Sequence, residues 1–348
     1  MKGITRMAIL ADIGIDFGTF KTILLSGSKI ILEQPSVVAV DSETWEPICY
    51  GEEAYQMIGR TPDSVTVVNP VERGVISDYV IAEKMLKFYM EKAFGNRVIK
   101  PRVMISVPIG VTSVQHRSVA NSIETAGARS ACTIESPIAA AIGLGVDFAT
   151  PRGNMIIDIG AGITDVAVIS MGAFAESCSF RTASFDFDDA IIKYVRRKFK
   201  VLIGKPTASR IKEQIGCVIK RPIFLTMKVK GQNAFTGLPQ FFEITSDDVY
   251  KALKDVASSL CSQIISVIEK TEPDLVADIL TYGVHLTGGG SQIFGMDKLL
   301  EKKLKVKIIK DIDPVHTVAL GAGIALKKPD LLKNGDYQFR SIQELIFE

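Results

Sequence analysis

Two short runs in this sequence carry the residue types that phosphate chemistry needs, and they recur in matching places. Asp16-Phe17-Gly18-Thr19 follows one apolar run, and Asp158-Ile159-Gly160-Ala161-Gly162-Ile163-Thr164 follows another in the second half of the chain. A glycine turn between strands lets backbone N–H groups converge on an anion, because no Cβ blocks the approach. Thr19 and Thr164 add hydroxyl donors. A carboxylate just ahead of each turn has the wrong charge for phosphate but suits a hydrated Mg²⁺ that bridges phosphates, so Asp16 and Asp158 are the candidate metal-shell residues. One such run alone would read as an ordinary Asp-Gly hairpin. Two copies favour the phosphate reading and suggest two related domains facing one another across a cleft.

Two further elements belong with them. Leu286-Thr287-Gly288-Gly289-Gly290-Ser291 precedes a helical pattern that begins near Gly295; glycines there let a flat nucleotide or a phosphate lie against backbone and helix N-terminus, although a plain loop explains them equally well. Glu135 stands immediately before the alanine-rich helix of Ser136-Pro137-Ile138-Ala139-Ala140-Ala141. Such a carboxylate can orient a water that attacks a γ-phosphate, and it is also what a helix macrodipole favours at its start.

The elements that must position these residues alternate between strand and helix. Apolar runs at 9–16, 102–108, 155–159 and 166–169 predict strands, and helical spacing predicts helices over 81–94 and 247–268, the second with Thr245 and Asp248 as a capping pair. That alternation argues for an α/β architecture. The polar break Thr150-Pro151-Arg152-Gly153-Asn154 is the best domain boundary. The segment 220–242 mixes basic and aromatic residues with Gly231, Gly237 and Pro239, and reads as short strands and turns in a smaller peripheral subdomain.

Composition narrows the function classes. The chain has 348 residues, 47% hydrophobic and 23% charged, which fits about two folded domains and rules out a disordered or repetitive polymer. A net charge of +2 is too small to nominate nucleic acid as a partner. The five cysteines are scattered with no CxxC pair and read as free thiols in a reducing compartment, and the three histidines form no HExxH or HxH pair, so a transition-metal enzyme is disfavoured. The opening residues lack a signal-peptide pattern, and the longest apolar stretch, 138–146, falls far short of a bilayer span. A cytosolic protein, at most bound to a membrane surface, is expected. Residues 1–10 could form a marginal interfacial anchor or simply lead into the first strand. The lysines at 298, 302, 303, 305, 307 and 310 could touch anionic lipid, but a solvated helix end and edge strand suits them better.

These motifs together resemble the actin, hexokinase and Hsp70 ATPase superfamily, and within it the chain is similar to the bacterial MreB family of actin-like cell-shape proteins. The resemblance runs through Gly59-Arg60-Thr61-Pro62, Gly74-Val75-Ile76-Ser77-Asp78, Val107-Pro108, the Glu135 segment, 158–168, Tyr194-Val195-Arg196-Arg197, Leu202-Ile203-Gly204, Arg210-Ile211-Lys212-Glu213-Gln214-Ile215-Gly216, 286–290 and Gly321-Ala322-Gly323. It implies an actin-like fold: two related domains with ribonuclease H-like sheets around a nucleotide cleft, each with a smaller subdomain. Residues 1–149, rejoined by 324–348, would form the first domain, and 150–323 the second, its smaller subdomain at about 182–243.

The same resemblance implies ATP or ADP with Mg²⁺ as ligand. Gly18, Thr19, Phe20 and Lys21 match the first phosphate loop; Gly160, Ala161 and Gly162 match the second. Glu135 matches the water-positioning carboxylate, assisted by Thr164 and Asp158. Lys212 and Glu213 match the segment that reaches the nucleoside, and Gly288, Gly289, Gly290 and Gln292 the adenosine side. The expected function is an ATP-binding filament former with slow hydrolysis, placed in the cytoplasm at the inner face of the membrane. Its partners would be further copies of itself, an anionic membrane surface, and membrane-bound morphogenetic proteins or paralogues, with no nucleic acid. A nucleotide-sensing scaffold with little turnover, or a small-molecule kinase of the same superfamily, are the alternatives.

Three departures from that family bear on turnover. Phe20-Lys21 replaces a small neutral pair, so that Lys21 either adds a cation near the phosphates or is a solvated strand residue. Gly162-Ile163-Thr164-Asp165 keeps one hydroxyl and shortens the acid. Ala183-Ser184-Phe185 stands where relatives carry Gly-Gly-Asp, which predicts slower hydrolysis or phosphate release.

Overall fold

The structure is a computed structural model that describes residues 12–95, 100–332 and 340–341. The expected interfacial anchor at 1–10 lies outside the described residues. The chain divides into two compact units, unit 1 comprising 1–57, 61–149 and 316–348, and unit 2 comprising 58–60 and 150–315.

Unit 1 opens with β1 (Asp12–Phe17), β2 (Lys21–Ser26), β3 (Lys29–Pro35), β4 (Val38–Asp41), β5 (Pro47–Tyr50), α1 (Glu52–Gln56) and β6 (Val65–Val68). It continues through β7 (Val71–Glu72), β8 (Val75–Ile76), α2 (Tyr79–Phe94), β9 (Arg102–Val107), α3 (Ser113–Thr125), β10 (Ser130–Glu135) and α4 (Ser136–Gly143). Unit 2 holds β11 (Asn154–Ile159), β12 (Thr164–Ser170), β13 (Ala173–Phe180), α5 (Ser184–Phe199), β14 (Val201–Leu202), α6 (Lys205–Ile215), β15 (Thr226–Asn233) and β16 (Pro239–Thr245). After α7 (Ser246–Ile268), α8 (Pro273–Tyr282), β17 (Val284–Thr287), α9 (Met296–Leu304) and β18 (Ile308–Lys310), the chain returns to unit 1 as α10 (Thr317–Lys327) and β19 (Arg340–Ser341).

The two main sheets share one plan. Unit 1 runs β3-β2-β1-β9-β10 with β19 beyond, and unit 2 runs β13-β12-β11-β17-β18. In each, three antiparallel neighbours are followed by two strands added in parallel. The recurrence seen in the sequence is thus a repeat of whole sheets. A smaller three-stranded sheet accompanies each: β5-β4-β6 in unit 1 and β14-β15-β16 in unit 2.

Alternation along β1 explains how the unit 1 sheet is covered on both faces. Ile13 and Ile15 join the core built with Ile81 and Met85 of α2 and Ile123 of α3. Gly14, between them, faces α10: a Cβ there would lie 2.0 Å from the Ala319 carbonyl oxygen and 2.4 Å from the Gly323 nitrogen. The next contact is closer still, for a Cβ on Gly321 would lie 1.7 Å from the Ala139 carbonyl oxygen of α4. Helix α10 therefore packs backbone to backbone against both sheet and helix. This is why the chain re-enters unit 1 at 316 rather than at the expected 324: the whole of α10, beginning at Thr317, is the filling between β1 and α4.

Local chemistry explains the other differences from the sequence reading. Helix α2 begins at Tyr79 because the Asp78 carboxylate accepts from the Ile81 amide at 3.0 Å. In α7, the Thr245 hydroxyl accepts from the Asp248 amide at 3.2 Å, and Val249, Leu253, Leu260, Ile264 and Val267 are buried along one stripe. Within and just beyond the segment 220–242, residues 226–245 form a regular hairpin rather than short pieces, with Val229 and Phe242 facing the core. All five cysteines are free, Cys132, Cys217 and Cys261 buried, Cys49 and Cys178 half-buried. Among the described residues no helix is long and apolar enough to cross a membrane.

Because the atoms facing Gly321 are backbone, they cannot rotate aside. Gly321→Ala should lower the stability of the chain by about 3 kcal/mol in denaturant titration, the upper range for an overpacked site; an unchanged midpoint would mean that α10 and α4 are not in backbone contact.

Candidate functional site

The first turn closes with the Gly18 amide donating to the Lys21 carbonyl at 3.0 Å. Asp16 sits one strand position earlier, where β9 runs beside β1 and places Ser106 next to it; the Ser106 hydroxyl donates to the Asp16 carboxylate at 2.9 Å. Burial pushes this carboxyl up to about 6, while the Ser106 hydrogen bond and nearby His316 pull it the other way. Thr19 is tied to the segment after β6: its hydroxyl accepts from the Gly74 amide at 2.9 Å, and its carbonyl accepts from the Asn69 side chain at 2.8 Å. Phe20 meets Tyr55 edge-on with ring centroids 5.7 Å apart. Lys21 donates to Glu33 of β3 at 2.6 Å, and His316 Nε2 lies 3.2 Å from the same carboxylate, so Lys21 is neither loose in solvent nor unpartnered. The lysine holds the Glu33 carboxyl below its ordinary range.

The second turn repeats this construction. The Gly160 amide donates to the Ile163 carbonyl at 2.9 Å. Register makes the correspondence explicit: Phe17 pairs with Thr22 across the first turn, and Ile159 with Thr164 across the second. The structural counterpart of Thr164 is therefore Thr22, not Thr19. Both are fully buried and hydrogen-bonded, Thr22 with the Ser36 hydroxyl at 2.9 Å and Thr164 to the Thr182 carbonyl at 2.8 Å.

Residues 183–185 hold the second turn. The Ser184 amide donates to the Gly160 carbonyl at 3.2 Å and the Phe185 amide to the Ala161 carbonyl at 2.8 Å, while the Asp186 carboxylate accepts from the Ala183 amide at 2.9 Å. The first amides of α5, which a helix leaves without internal partners, are spent on the turn's carbonyls. Ala183 itself is fully buried.

The glycine run after β17 lies directly against this turn. Gly288 has φ 85°, and a Cβ on it would stand 2.2 Å from Asp158 Oδ1 and 2.4 Å from the Ile159 carbonyl oxygen. A Cβ on Gly290 would stand 2.6 Å from Ile159 Cγ2. Gly289 and Gln292 are exposed on the single 3₁₀ turn that follows, so two of the three glycines pack and one faces water. Thr287 fixes the strand end by donating to Asp311 at 2.6 Å.

Lys212 of α6 is turned toward α5, donating to the Ser184 hydroxyl at 2.8 Å and to the buried Asp188 carboxylate at 2.9 Å. Glu213 is exposed and accepts from Ser209 one helical turn earlier, at 3.1 Å. In unit 1, Glu135 ends β10 and occupies the N-cap position of α4 without a side-chain capping bond, the start of the helix being fixed by the Ser136 hydroxyl donating to the Val107 carbonyl at 3.0 Å. Within unit 1, then, Asp16, Gly18 and Glu135 all lie at the carboxyl ends of β1 and β10 in one parallel set; within unit 2, Asp158, Gly160, Gly288 and Gly290 form one cluster at the ends of β11 and β17. Carboxyl ends of parallel strands are where α/β sheets bind ligands. Ser106 and Asp188 escaped the sequence reading, which took Ser184 only as part of a departure that slows turnover. For Asp188 a signal existed, a lone acid on the buried stripe of an amphipathic helix; for Ser106 there was none before the strand register was known.

Asp188 also sets a testable pH dependence. Desolvation raises its carboxyl to about 6, with Lys212 opposing. A folded value above the unfolded one means that its favourable contribution is complete below about pH 4 and is lost as pH rises through 6. Asp188→Asn removes this titration, so the stability of the unaltered chain relative to the variant should fall by up to about 3 kcal/mol between pH 4 and 7. A difference that does not vary with pH would contradict the raised value.

Comparison with known proteins agrees with this geometry. The family model described as MreB/Mbl protein matches residues 10–334. The chain is 40% identical over 323 residues to the cell shape-determining protein Mbl of Bacillus cereus, covering 92% of this chain and 97% of that one. It is 38% identical over 327 residues to the cell shape-determining protein MreB of Escherichia coli, covering 92% and 94%. The crystal structure of MreB 5 of Spiroplasma citri bound to AMPPNP superposes with a TM-score of 0.87 at 30% identity, covering 92% of this chain and 97% of that one. With its paired sheets and paired Asp-Gly turns, this chain has the actin-like fold and belongs to the MreB/Mbl family.

Proposed function

We propose that this chain binds ATP with Mg²⁺ through its two Asp-Gly turns, assembles with further copies of itself into filaments, and serves cell-shape determination at the inner face of the membrane, hydrolysing ATP slowly. The observation that carries the reading is the duplication: two turns closed by the same hydrogen bond, each one residue beyond the strand that bears Asp16 or Asp158, on sheets of the same order. A relative bound to AMPPNP supports the choice of nucleotide.

The residues fit such a ligand. Asp16 is a desolvated carboxylate supported by a single serine hydrogen bond, a position that a nearby cation would relieve. Asp16 and Asp158 would hold Mg²⁺ largely through water, and the ion would supply neutralisation of phosphate charge. Thr19, Phe20 and Lys21 on one side and Ala161 and Gly162 on the other would present backbone amides to the phosphates, with Gly18 and Gly160 closing the two turns beneath them. Glu135 would orient the attacking water with the help of Thr164. Gly288, Gly289, Gly290 and Gln292 would border the nucleoside, with Lys212 and Glu213 approaching from α6. Lys212, already joined to Asp188 and Ser184, would act there as an anchor between α5 and α6. Filament growth would use head-to-tail contacts, a heterologous interface that does not close.

One observation favours low turnover. The segment that holds the 160–161 carbonyls is itself tied down by side chains that a glycine pair lacks, Ala183 being fully buried and the Ser184 hydroxyl accepting from Lys212. A nucleotide-sensing scaffold is therefore the second reading.

Glu135→Ala should slow phosphate release about a hundredfold while leaving nucleotide affinity unchanged, the scale expected for losing a group that orients the nucleophile; equal rates would remove Glu135 from the chemistry and favour the scaffold. Purified chain should pellet and form filaments by electron microscopy with ATP and less so with ADP. Absence of assembly across nucleotide and salt conditions would overturn the filament reading.

A further inference from the structure

One face of the unit 1 sheet carries a row of charges that backbone contacts to phosphate leave unexplained. Asp16 of β1 stands opposite Ile23 of β2, and Ile23 opposite Glu33 of β3, while Lys21 lies two residues before Ile23. Opposite partners and residues two apart share a face of a sheet, so Asp16, Lys21 and Glu33 stand on the face that Gly14 presents to α10. Lys21 and Glu33 are diagonal neighbours there, near enough for long side chains to meet. The Lys21 amine donates to Glu33 Oε1 at 2.6 Å, and His316, the residue before α10, places its Nε2 3.2 Å from Glu33 Oε2.

The two contacts on Glu33 are not equivalent. Lys21 first, and His316 after it, hold the carboxyl below its ordinary range against partial burial. An ionised carboxylate only accepts, so His316 Nε2 carries the proton of its contact. Glu33 therefore keeps a donor on its other oxygen when the amine departs. The lysine has a route out as well: its side chain is 38% exposed and that of Glu33 29%, and an ion pair in contact with water is weak enough for a more highly charged anion to break. The Lys21 carbonyl meanwhile closes the first turn by accepting from the Gly18 amide at 3.0 Å, so its backbone stays with the turn while its amine is drawn to β3.

We propose that Glu33 is a positioning residue that restrains Lys21, holding its amine as a stand-in anion and yielding it to the phosphates of a nucleotide that enters the first turn, while His316 keeps hold of Glu33. The inference rests on the nucleotide reading above and adds to it a competitor for the one lysine of that turn. A phosphate chain carries more charge than a carboxylate and draws stronger, charge-assisted hydrogen bonds from an amine, which decides the direction of the exchange. Part of the binding energy goes into breaking the Lys21–Glu33 pair. The chain consequently releases nucleotide more readily than the same turn with an unrestrained lysine would.

The test is a double-mutant cycle read by equilibrium titration of the full chain with AMPPNP and Mg²⁺, below the concentration at which it assembles, so that neither turnover nor filament growth enters the readout. Glu33→Gln keeps the shape, removes the charge, and should tighten binding about fivefold, the scale of a partly exposed ion pair. Lys21→Met should weaken binding, and in that background Glu33→Gln should gain less than it does beside the lysine. An equal or larger gain there would come from removing a negative charge near the ligand, and overturns the proposal. So does a Glu33→Gln chain that binds no more tightly than the unaltered one. His316→Ala should weaken binding, since Glu33 then loses the donor that holds it as the amine departs; unchanged or tighter binding by that variant also counts against the exchange. An unaltered chain that binds no AMPPNP would bring down the nucleotide reading and this inference together, whereas ordinary binding with a flat cycle sinks this inference alone.

Discussion

The architecture rests on backbone meeting backbone where a side chain would intrude. In unit 1, Gly14 and Gly321 let α10 settle against β1 and α4. In unit 2, Gly288 and Gly290 let the strand end after β17 lie on the Asp158 turn. The two uses differ in purpose. The first closes a core, and a methyl group there forfeits close packing over a whole helix. The second brings two loops near enough that a ligand touching one touches the other, which is the more direct route from a glycine to function.

Charge is handled differently in the two units. Asp16 is a carboxylate left with one serine donor and pushed toward neutrality, which suits a residue whose counter-charge arrives with a ligand. Asp188 is nearly as desolvated, yet it carries its own lysine and serves to join α5 to α6. Both carboxyls are raised to about 6, so the shift alone does not separate a binding group from a structural one. The partners differ: Asp188 is hydrogen-bonded to Lys212, whereas among the described residues Asp16 is hydrogen-bonded to the Ser106 hydroxyl and feels His316 only at a distance.

Much of this was legible in the chain. The Asp-Gly turns, the carboxylate before α4 and the capped α7 are short-range patterns, and short-range patterns survive in a one-dimensional string. The boundary at 150 was visible because polar turn residues interrupt two apolar runs. What was not legible depends on register between distant strands. Ser106 reaches Asp16 only because β9 joins β1 in parallel, and Thr22 is the partner of Thr164 only because each turn spans the same number of paired positions. Residues 183–185 looked like a bulky intrusion and proved to be a clamp, because the interaction runs through their amides, which the residue names do not encode.

The return of α10 to unit 1 has a consequence for synthesis. Unit 2 apart from 58–60 is one uninterrupted stretch, whereas the sheet of unit 1 must wait, with the α10 side of β1 uncovered, until all of unit 2 has left the ribosome. The later unit is therefore the one that can finish first, and the N-terminal strands spend the interval without the helix that fills the space between β1 and α4.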